Sequence, residues 1–289
     1  MLVNYIDWTW NPDLLSGVVT VRWYGLMFVI GFLLGYMMLR REFRHEGAKE
    51  SYADLVFMGT IIATIIGARL GHVIFYEWSY YSQHPIEILY VWQGGLASHG
   101  GTIAIVLTII GIGRHIGKSP LWIFDRLVIP TALVAALIRM GNLFNHEIYG
   151  HVTDVPWAFR FIVNINEWMH GAEPIFSLPS HPTQIYEASA YFILFIVLMW
   201  LYWKKNAGER PGLIFGIFFT WVFTARFFIE FIKNDQEVFE QDMILNMGQL
   251  LSIPFIIIGI GLIVYSLKAK RLDIQYPDKF APEDDRKKK

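Results

Sequence analysis

The sequence predicts an all-α integral membrane protein with seven transmembrane helices. Of its 289 residues, 54% are hydrophobic and only 17% are charged, which is more apolar side chain than a soluble domain of this size can bury. Windows of about 20 apolar residues, the length that crosses a bilayer core of about 30 Å, recur between polar, proline or glycine breaks. Lysine and arginine gather in alternate loops, as they do on the cytoplasmic side of membrane proteins. The excess apolar surface must therefore face lipid.

Each predicted span is an apolar run bounded by polar residues, proline or glycine. In chain order, the spans cover residues 20–40, 54–76, 96–113, 121–145, 183–203, 212–232 and 246–267. In the same order, the breaks beside them include Arg40, Asp54, Gly95, Pro120, Pro182, Gly212 and Lys268. We expect one transmembrane domain over 1–267, followed by a basic cytoplasmic tail over 268–289.

The basic residues of the short loops predict the orientation. One set of alternate loops holds most of them: Arg40, Arg41, Arg44, Lys49, Arg114, Lys118, Lys204, Lys205, Arg210, Lys268, Lys270 and Arg271. The opposite set, which includes 77–95, 151–182 and 233–245, holds only Arg160 and Lys233. The N-terminus is therefore predicted outside the cytoplasm and the C-terminus inside. The long segment 151–182 is expected to fold as a small extracytoplasmic cap.

Composition also limits the chemistry. The chain has no cysteine, so a thiol taking part in its reaction must belong to a partner. The sequence contains no HExxH-type motif and no other spacing typical of a metal site. We expect no metal, no inorganic cofactor and no nucleic-acid partner. The first 20 residues lack lysine and arginine and do not resemble a cleavable signal, so we expect the N-terminus to be retained.

Polar side chains recur at the end of every span that is predicted to lie outside. In chain order they are Tyr24; Arg69; His99; Arg139, Asn142, His146 and Glu147; Gln184, Tyr186 and Glu187; Arg226 and Glu230; and Gln249. The opposite halves of the spans read as nearly continuous Ile, Leu, Val and Phe. A charged group inside a bilayer costs at least about 2.5 kcal/mol unless it is paired or solvated. These groups are therefore expected to face one shared cavity.

Helical spacing refines this expectation. Arg226 and Glu230 are four residues apart and share one helical face, whereas Arg139, Asn142 and His146 fall within roughly 60° of one another on a helical wheel. Structural ion pairs, Arg226 with Glu230 or Arg139 with Glu147, are the alternative for any single pair. The convergence of charges from several spans favours a binding site.

Glycine pairs at four-residue spacing, such as Gly67 with Gly71, are read as sites of close helix packing. The doublets that flank His99, Gly94-Gly95 and Gly100-Gly101, differ because they would let backbone or ligand approach an ionisable residue closely.

The excess of arginine over carboxylate favours an anionic ligand, since the planar guanidinium fork suits phosphate. A cavity in the outer half of a bilayer is accessible to lipid, so a lipid headgroup phosphate fits. A carrier or channel for an organic anion would use the same arginines, but no inverted repeat with broken helices is visible in the sequence. A scaffold that only packs other membrane proteins would leave the converging charges unexplained.

Seven strings, in order and across almost the whole chain, resemble the bacterial prolipoprotein diacylglyceryl transferase family: RWYGLMFVIGF, GARLGHV, WQGGLASHGG, RMGNLFNHEIYG, HPTQIYE, ARFFIEF and MGQLLSIP. The resemblance implies transfer of a diacylglyceryl group from phosphatidylglycerol to the lipobox cysteine thiol of a prolipoprotein, with formation of a thioether and release of glycerol phosphate. It implies a multi-pass protein of the bacterial inner membrane with its active site toward the extracytoplasmic side. The implied partners are phosphatidylglycerol, the prolipoprotein signal peptide and the bilayer.

The resemblance also assigns roles. It makes Arg139 the phosphatidylglycerol-binding arginine, and it matches Arg226 with Glu230 to a second essential pair. His99 matches a histidine proposed as the base, and Tyr24 matches a family tyrosine. The remaining candidates for substrate binding are Asn142, Glu147, Gly150, Arg69, Gln184 and Tyr186. One departure is Val222, where some members carry a tyrosine; Tyr186 or Tyr24 could supply that hydroxyl.

The implied mechanism follows from thiol chemistry. A cysteine thiol has a reference pKa near 8.5 and attacks as the thiolate, so a base is needed. His99 is the candidate base, and Arg139 and Arg226 would stabilise the phosphate as it leaves. Glu230 would orient Arg226, and Glu147 would order the outer end of the fourth helix.

Overall fold

The computed structural model describes residues 5–15, 17, 20–234 and 244–274. Seven of the described helices are long and apolar enough to cross a membrane, which confirms the predicted class. The helices are α1 Trp23–His45, α2 Glu50–Phe75, α3 Trp78–Tyr81, α4 Ser98–Ile116, α5 Pro120–Phe144, α6 Ile165–Met169, α7 Thr183–Lys205, α8 Leu213–Ile229 and α9 Met247–Lys268. A 3-10 turn, Glu230–Ile232, continues α8 and completes the sixth span. The side of the membrane that each terminus faces stays a prediction.

The charged connection between the first two spans is more helical than expected. Helix α1 continues to His45, past the predicted end at residue 40, and α2 begins at Glu50 rather than at residue 54. Arg40 and Arg44 both pair with Glu50, and the Arg44 Nε–Glu50 Oε1 distance is 2.6 Å. The basic run was interpreted as a loop, but its residues up to His45 are helical, and the ion pairs link the two helix ends across the turn.

Four short strands accompany the helices: β1 Tyr5–Trp8, β2 Asp13–Leu15, β3 Val21–Arg22 and β4 Ala158–Phe161. Strands β1 and β4 are parallel, with Tyr5 opposite Ala158. Asp7 on β1 accepts two hydrogen bonds from Arg160 on β4, at 2.6 and 2.9 Å. The segment 151–182 is therefore folded, as predicted. The sequence did not reveal that it pairs with residues near the N-terminus.

The chain divides into two compact units. The first contains the described residues up to Gly35 together with Val128–Lys270, and the second contains Tyr36–Leu127 together with the described residues from Arg271 onward. Residues 275–289, most of the predicted tail, lie outside the described residues, as do residues 235–243. The predicted domain over 1–267 stays a prediction.

In the second unit, α2 and α4 cross at glycines. A Cβ atom on Gly100 would lie 2.3 Å from the Gly67 carbonyl oxygen and 2.7 Å from the Gly71 Cα. The Ala97 amide donates to the Ala68 carbonyl across the same contact, at 2.9 Å. This confirms that Gly67 and Gly71 serve helix packing, and it shows that the backbone approaching Gly100 is that of α2.

The second unit also contains a buried charge cluster that the sequence analysis missed. Arg126, in the first turns of α5, is fully buried, and its Nη2 donates to both Glu46 carboxylate oxygens at 2.6 and 2.7 Å. Trp122 Nε1 donates to the same carboxylate at 2.8 Å. The expectation of nearly continuous Ile, Leu, Val and Phe in these helix halves therefore fails at Arg126. Buried charges persist here because they are paired and hydrogen-bonded.

Candidate functional site

In the first unit, an ion pair between Arg139 and Glu187 links α5 to α7. Arg139 lies near the end of α5 and Glu187 in the first turns of α7, and the Arg139 Nε–Glu187 Oε2 distance is 2.8 Å. The Glu187 side chain is only 1% exposed. Arg139 Nη1 also donates to Asn142 Oδ1 at 3.3 Å. The alternative pairing of Arg139 with Glu147 is therefore wrong, because Glu187 supplies the carboxylate from another helix.

The predicted pair on the sixth span is confirmed. The Arg226 Nε–Glu230 Oε1 distance is 3.4 Å across one helical turn. Glu230 is buried at the end of α8, and Asn246 Nδ2 donates to its other oxygen at 3.4 Å. A Cβ atom on Gly248 would lie 2.5 Å from Glu230 Oε1. A larger residue at Gly248 would have to displace this carboxylate.

Lys233 connects these two ion pairs. Its Nζ lies 3.7 Å from Glu187 Oε1 and 3.7 Å from Glu230 Oε1. The five side chains form one row of alternating charge: Arg139, Glu187, Lys233, Glu230 and Arg226. The expectation that guanidinium groups from different helices meet in one cluster is confirmed for Arg139 and Arg226.

Sequence reasoning missed two members of this neighbourhood. Lys233 was counted only as a loop cation, although its position three residues after Glu230 is a helical spacing. Tyr191 lies inside the predicted fifth span and was not singled out, although it lies one turn beyond Glu187. Its phenol is buried and feels the charges of Glu187 and of both arginines of the row.

Asn142 lies beside Arg139, as the helical wheel predicted, and Tyr24 and Glu147 lie near the same end of α5. The Tyr24 ring packs on Gly141, where an added Cβ atom would lie 2.8 Å from the Tyr24 Cδ2, and the charges of Arg139 and Glu147 act on its hydroxyl. Asn142 Nδ2 donates to Glu147 Oε1 at 2.8 Å. Asn142 thus joins the cationic and anionic side chains at the end of α5.

His146 does not share a face with Arg139, so that expectation is wrong. Helix α5 ends at Phe144, and His146 has a φ of 57°, in the left-handed region. Its Nδ1 accepts from the Ile162 amide at 3.1 Å, so Nε2 carries the proton and donates to the Trp10 carbonyl at 2.9 Å. Burial lowers the pKa of His146. The imidazole is a structural link between segments.

Gln184 and Gly150 contact backbone. Gln184 is fully buried, and its Nε2 donates to the Glu147 carbonyl at 2.6 Å. A Cβ atom on Gly150 would lie 2.2 Å from the Ile232 carbonyl oxygen, so only glycine fits at this close approach. Both residues fix the chain between α5 and the neighbouring segments.

Tyr186 lies at the start of α7, between Trp157 and His181. Its hydroxyl accepts from Trp157 Nε1 at 2.8 Å and lies 3.2 Å from His181 Nδ1. Burial lowers the pKa of His181. The imidazole and the phenol are therefore neighbours in one hydrogen-bonded group.

Arg69 and His99 belong to the second unit. Arg69 is buried, and its guanidinium donates to the carbonyls of Ile88, Glu87 and Gly94 at 2.9, 2.6 and 2.8 Å. It also stacks on Tyr81, with 4.8 Å between Cζ and the ring centroid. These contacts order the connection from α3 to α4. His99 is exposed in the first turn of α4, with its imidazole 5.2 Å from the Phe75 ring.

Seven apolar spans, together with a row of alternating charges in the first unit, define a multi-pass membrane protein with a polar site. Ionisable side chains inside spans mark function by default. Residues 12–265 match the family described as prolipoprotein diacylglyceryl transferase. The chain belongs to that family.

Three curated relatives illustrate the match. The protein from Chloroherpeton thalassium is 44% identical over 272 residues, which cover 93% of this chain and 97% of the relative. The protein from Porphyromonas gingivalis is 46% identical over 276 residues, 92% of this chain and 96% of its own length. The protein from Tolumonas auensis is 43% identical over 265 residues, which cover 91% of this chain and 98% of the relative. Each is named phosphatidylglycerol–prolipoprotein diacylglyceryl transferase.

Proposed function

We propose that this chain transfers a diacylglyceryl group from phosphatidylglycerol to a prolipoprotein, the activity for which its relatives are named. One observation carries the proposal: Arg139 and Arg226, on different helices, belong to one row of charges whose carboxylates and lysine are buried. Two guanidinium groups in one membrane-embedded cluster suit a phosphodiester that arrives with lipid tails.

The acceptor in this proposal is the thiol of the lipobox cysteine. Its deprotonated sulfur attacks the glyceryl carbon that bears the phosphate, and a carbon–sulfur bond forms as the carbon–oxygen bond breaks. The bonding electrons leave with glycerol phosphate, and the thiol proton passes to a base. The acceptor supplies the thiol, since this chain has no cysteine.

Arg139 and Arg226 stabilise the phosphate as negative charge develops on the leaving oxygen. Preorganised donors in a site with little water are effective here because they need no reorganisation during the reaction. Glu187 orients Arg139 at 2.8 Å, and Glu230 orients Arg226 at 3.4 Å. Tyr191 is a buried tyrosine that feels the charge of both arginines, and it offers a hydroxyl that Val222 cannot supply.

His99 is the proposed base, and its exposure in the first turn of α4 supports access to a second substrate. Tyr24 and Tyr186 are proposed to donate to the lipid headgroup. The other candidate residues are proposed to hold the catalytic groups in place rather than to contact the substrate. Asn142 and Glu147 hold the Arg139 end of α5, while Gln184 and Gly150 fix the chain that follows. Arg69 orders the connection that precedes His99.

The proposed location is the bacterial inner membrane, with the site toward its extracytoplasmic face. The supporting observation is the concentration of lysine and arginine in the loops opposite to those that carry the row of charges. A prolipoprotein signal peptide crosses the same bilayer, so its lipobox would reach this depth without leaving the membrane.

The direct test uses purified chain in detergent, a lipobox peptide and phosphatidylglycerol. We expect a mass gain of one diacylglyceryl group on the cysteine, and none on a peptide with serine in its place. Arg139→Ala and Arg226→Ala should abolish transfer while the chain stays folded, and Arg114→Ala, an exposed arginine at the end of α4, should not. Normal rates in either site variant would contradict the proposed role. Flux of a phosphate-bearing solute into proteoliposomes without any product would instead favour a carrier.

A further inference from the structure

The backbone at Lys233 is held on the first unit by the segment around Gly150. Gly150 and Lys233 form an antiparallel bridge, and the His151 amide donates to the Ile232 carbonyl at 2.8 Å. Asn234 Nδ2 donates to the Gly150 carbonyl at 3.1 Å. Because a Cβ atom at Gly150 would lie 2.2 Å from the Ile232 carbonyl oxygen, this docking requires glycine. Contacts with the segment around Gly150, which lies outside the sixth span, therefore fix the backbone at Lys233.

The side chain of Lys233 points into the protein rather than into solvent. It is 6% exposed, and its ammonium lies at the same distance, 3.7 Å, from one oxygen of Glu187 and one oxygen of Glu230. A buried ammonium is tolerated only where carboxylates compensate it. Lys233 is thus shared between the two carboxylates that hold the two arginines.

Formal charge shows what Lys233 adds. Arg139 and Arg226 are balanced by Glu187 and Glu230, so that these four groups together are neutral. Lys233 brings the row to one net positive charge, which matches one phosphodiester. The nearby Glu147 carboxylate is held by the side-chain amides of Asn142 and Asn145.

The orientation of the carboxylates matters as much as the sum of charges. A carboxylate binds a guanidinium in the same bidentate way as a phosphate does, so a mobile glutamate competes with the substrate. In this structure Glu187 Oε2 lies 2.8 Å from Arg139 Nε, and its Oε1 lies 3.7 Å from Lys233 Nζ. Glu230 differs in that its Oε1 faces both Lys233 Nζ and Arg226 Nε, at 3.7 and 3.4 Å, while Asn246 Nδ2 donates to its Oε2.

We propose that Lys233 is a positioning residue for the phosphodiester site: it holds Glu187 and Glu230 so that the guanidinium groups of Arg139 and Arg226 keep donors for the lipid phosphate. This inference rests on the proposed function. Without the ammonium, both carboxylates would turn toward the arginines and occupy the donors meant for the substrate. The main consequence is weaker binding of phosphatidylglycerol.

The test compares Lys233→Met, Lys233→Arg and the double variant Lys233→Met with Glu187→Gln. Lys204→Met, at an exposed lysine in the last turn of α7, is the matched control. We expect Lys233→Met to raise the KM for phosphatidylglycerol about tenfold, the effect of losing one charged contact, with a smaller change in kcat. Lys233→Arg should restore most of the affinity. Glu187→Gln should relieve part of the defect of Lys233→Met, because a neutral amide does not compete with the phosphate.

A purely structural role for Lys233 predicts a different result. The second substitution would then add to the damage, and loss of activity would follow loss of Tm. An unchanged KM in folded Lys233→Met, or a defect that neither Lys233→Arg nor the double variant relieves, would overturn the inference.

Binding of phosphatidylglycerol without an acceptor separates this inference from the proposed function. Ligand that binds only the folded state raises Tm with concentration. We expect this rise in the wild type and a reduced rise in Lys233→Met. A wild-type chain that transfers nothing refutes the proposed function, whereas active wild type with an identical Tm rise in Lys233→Met refutes only the role of Lys233.

Discussion

Arg139 and Glu187 join two membrane spans through an ion pair of 2.8 Å whose carboxylate is almost wholly buried. Arg139 Nε lies 2.8 Å from Glu187 Oε2, and Nη1 donates to Asn142 Oδ1, so the guanidinium contacts groups on two helices. A guanidinium has five N–H donors, so these two contacts leave donors for a ligand. The geometry therefore makes Glu187 as important as the arginine that it holds.

Glu187→Ala is expected to lower kcat/KM for diacylglyceryl transfer by about a hundredfold, because misplacing a catalytic group by about 1 Å costs that much. Steady-state kinetics with a lipobox peptide measures it. Glu173→Gln, at an exposed glutamate of the 151–182 segment, is the control and should keep the wild-type value. Wild-type kinetics in Glu187→Ala would show that Arg139 needs no orienting carboxylate.

The sequence predicted the features that arise within one segment of the chain, and it missed those that depend on contacts between segments. Apolar runs fixed the seven spans, and the spacing of Arg226 and Glu230 fixed their pairing within one helix. The contacts of Glu187 with Arg139 and Lys233 depend on which segments meet, which no pattern within one segment records. His146 was misplaced because a helical wheel was extended past Phe144, where a left-handed residue ends the helix.

The strand pair was hidden for a related reason. Residues of β1 are mostly exposed and show no alternation between buried and exposed positions, so period-two reasoning had nothing to detect. The parallel register of Asp7 with Arg160 becomes visible only when both segments are placed.

The Glu46–Arg126 pair predicts a large effect on stability. Arg126→Met should lower the free energy of unfolding by about 3–5 kcal/mol, because it leaves the Glu46 carboxylate buried without its cation. Thermal unfolding in detergent measures the loss. Adding Glu46→Leu to Arg126→Met should recover part of the stability, since the buried charge is then removed. A double variant that is less stable than Arg126→Met would contradict this account.

Arg69→Lys tests whether Arg69 orders backbone or binds lipid. A lysine cannot reproduce the guanidinium contacts to the Ile88, Glu87 and Gly94 carbonyls. We therefore expect faster amide hydrogen exchange across 85–97, a lower kcat and little change in the KM for phosphatidylglycerol. Arg114→Lys, at an exposed position, provides the comparison. A raised KM with unchanged hydrogen exchange would instead identify Arg69 as a direct lipid ligand.

The stability of the chain should depend on pH through His146. Burial holds the pKa of His146 below its value in the unfolded chain, near 6.5. The unfolded state then binds more protons between the two pKa values, so stability is fully present above about pH 6.5 and falls as the pH drops through the folded pKa. We expect the Tm of the wild type to decrease in this range.

His146→Gln isolates this contribution. Glutamine loses the hydrogen bonds to Trp10 and Ile162 and should lower the Tm at neutral pH, but it cannot titrate, so the Tm should vary less between pH 7.5 and 5. Because the pKa of His181 is also lowered by burial, the difference between the two curves, rather than either curve alone, reports on His146. Parallel curves over this range would show that protonation of His146 is not linked to unfolding, and the acid sensitivity would then belong to other groups.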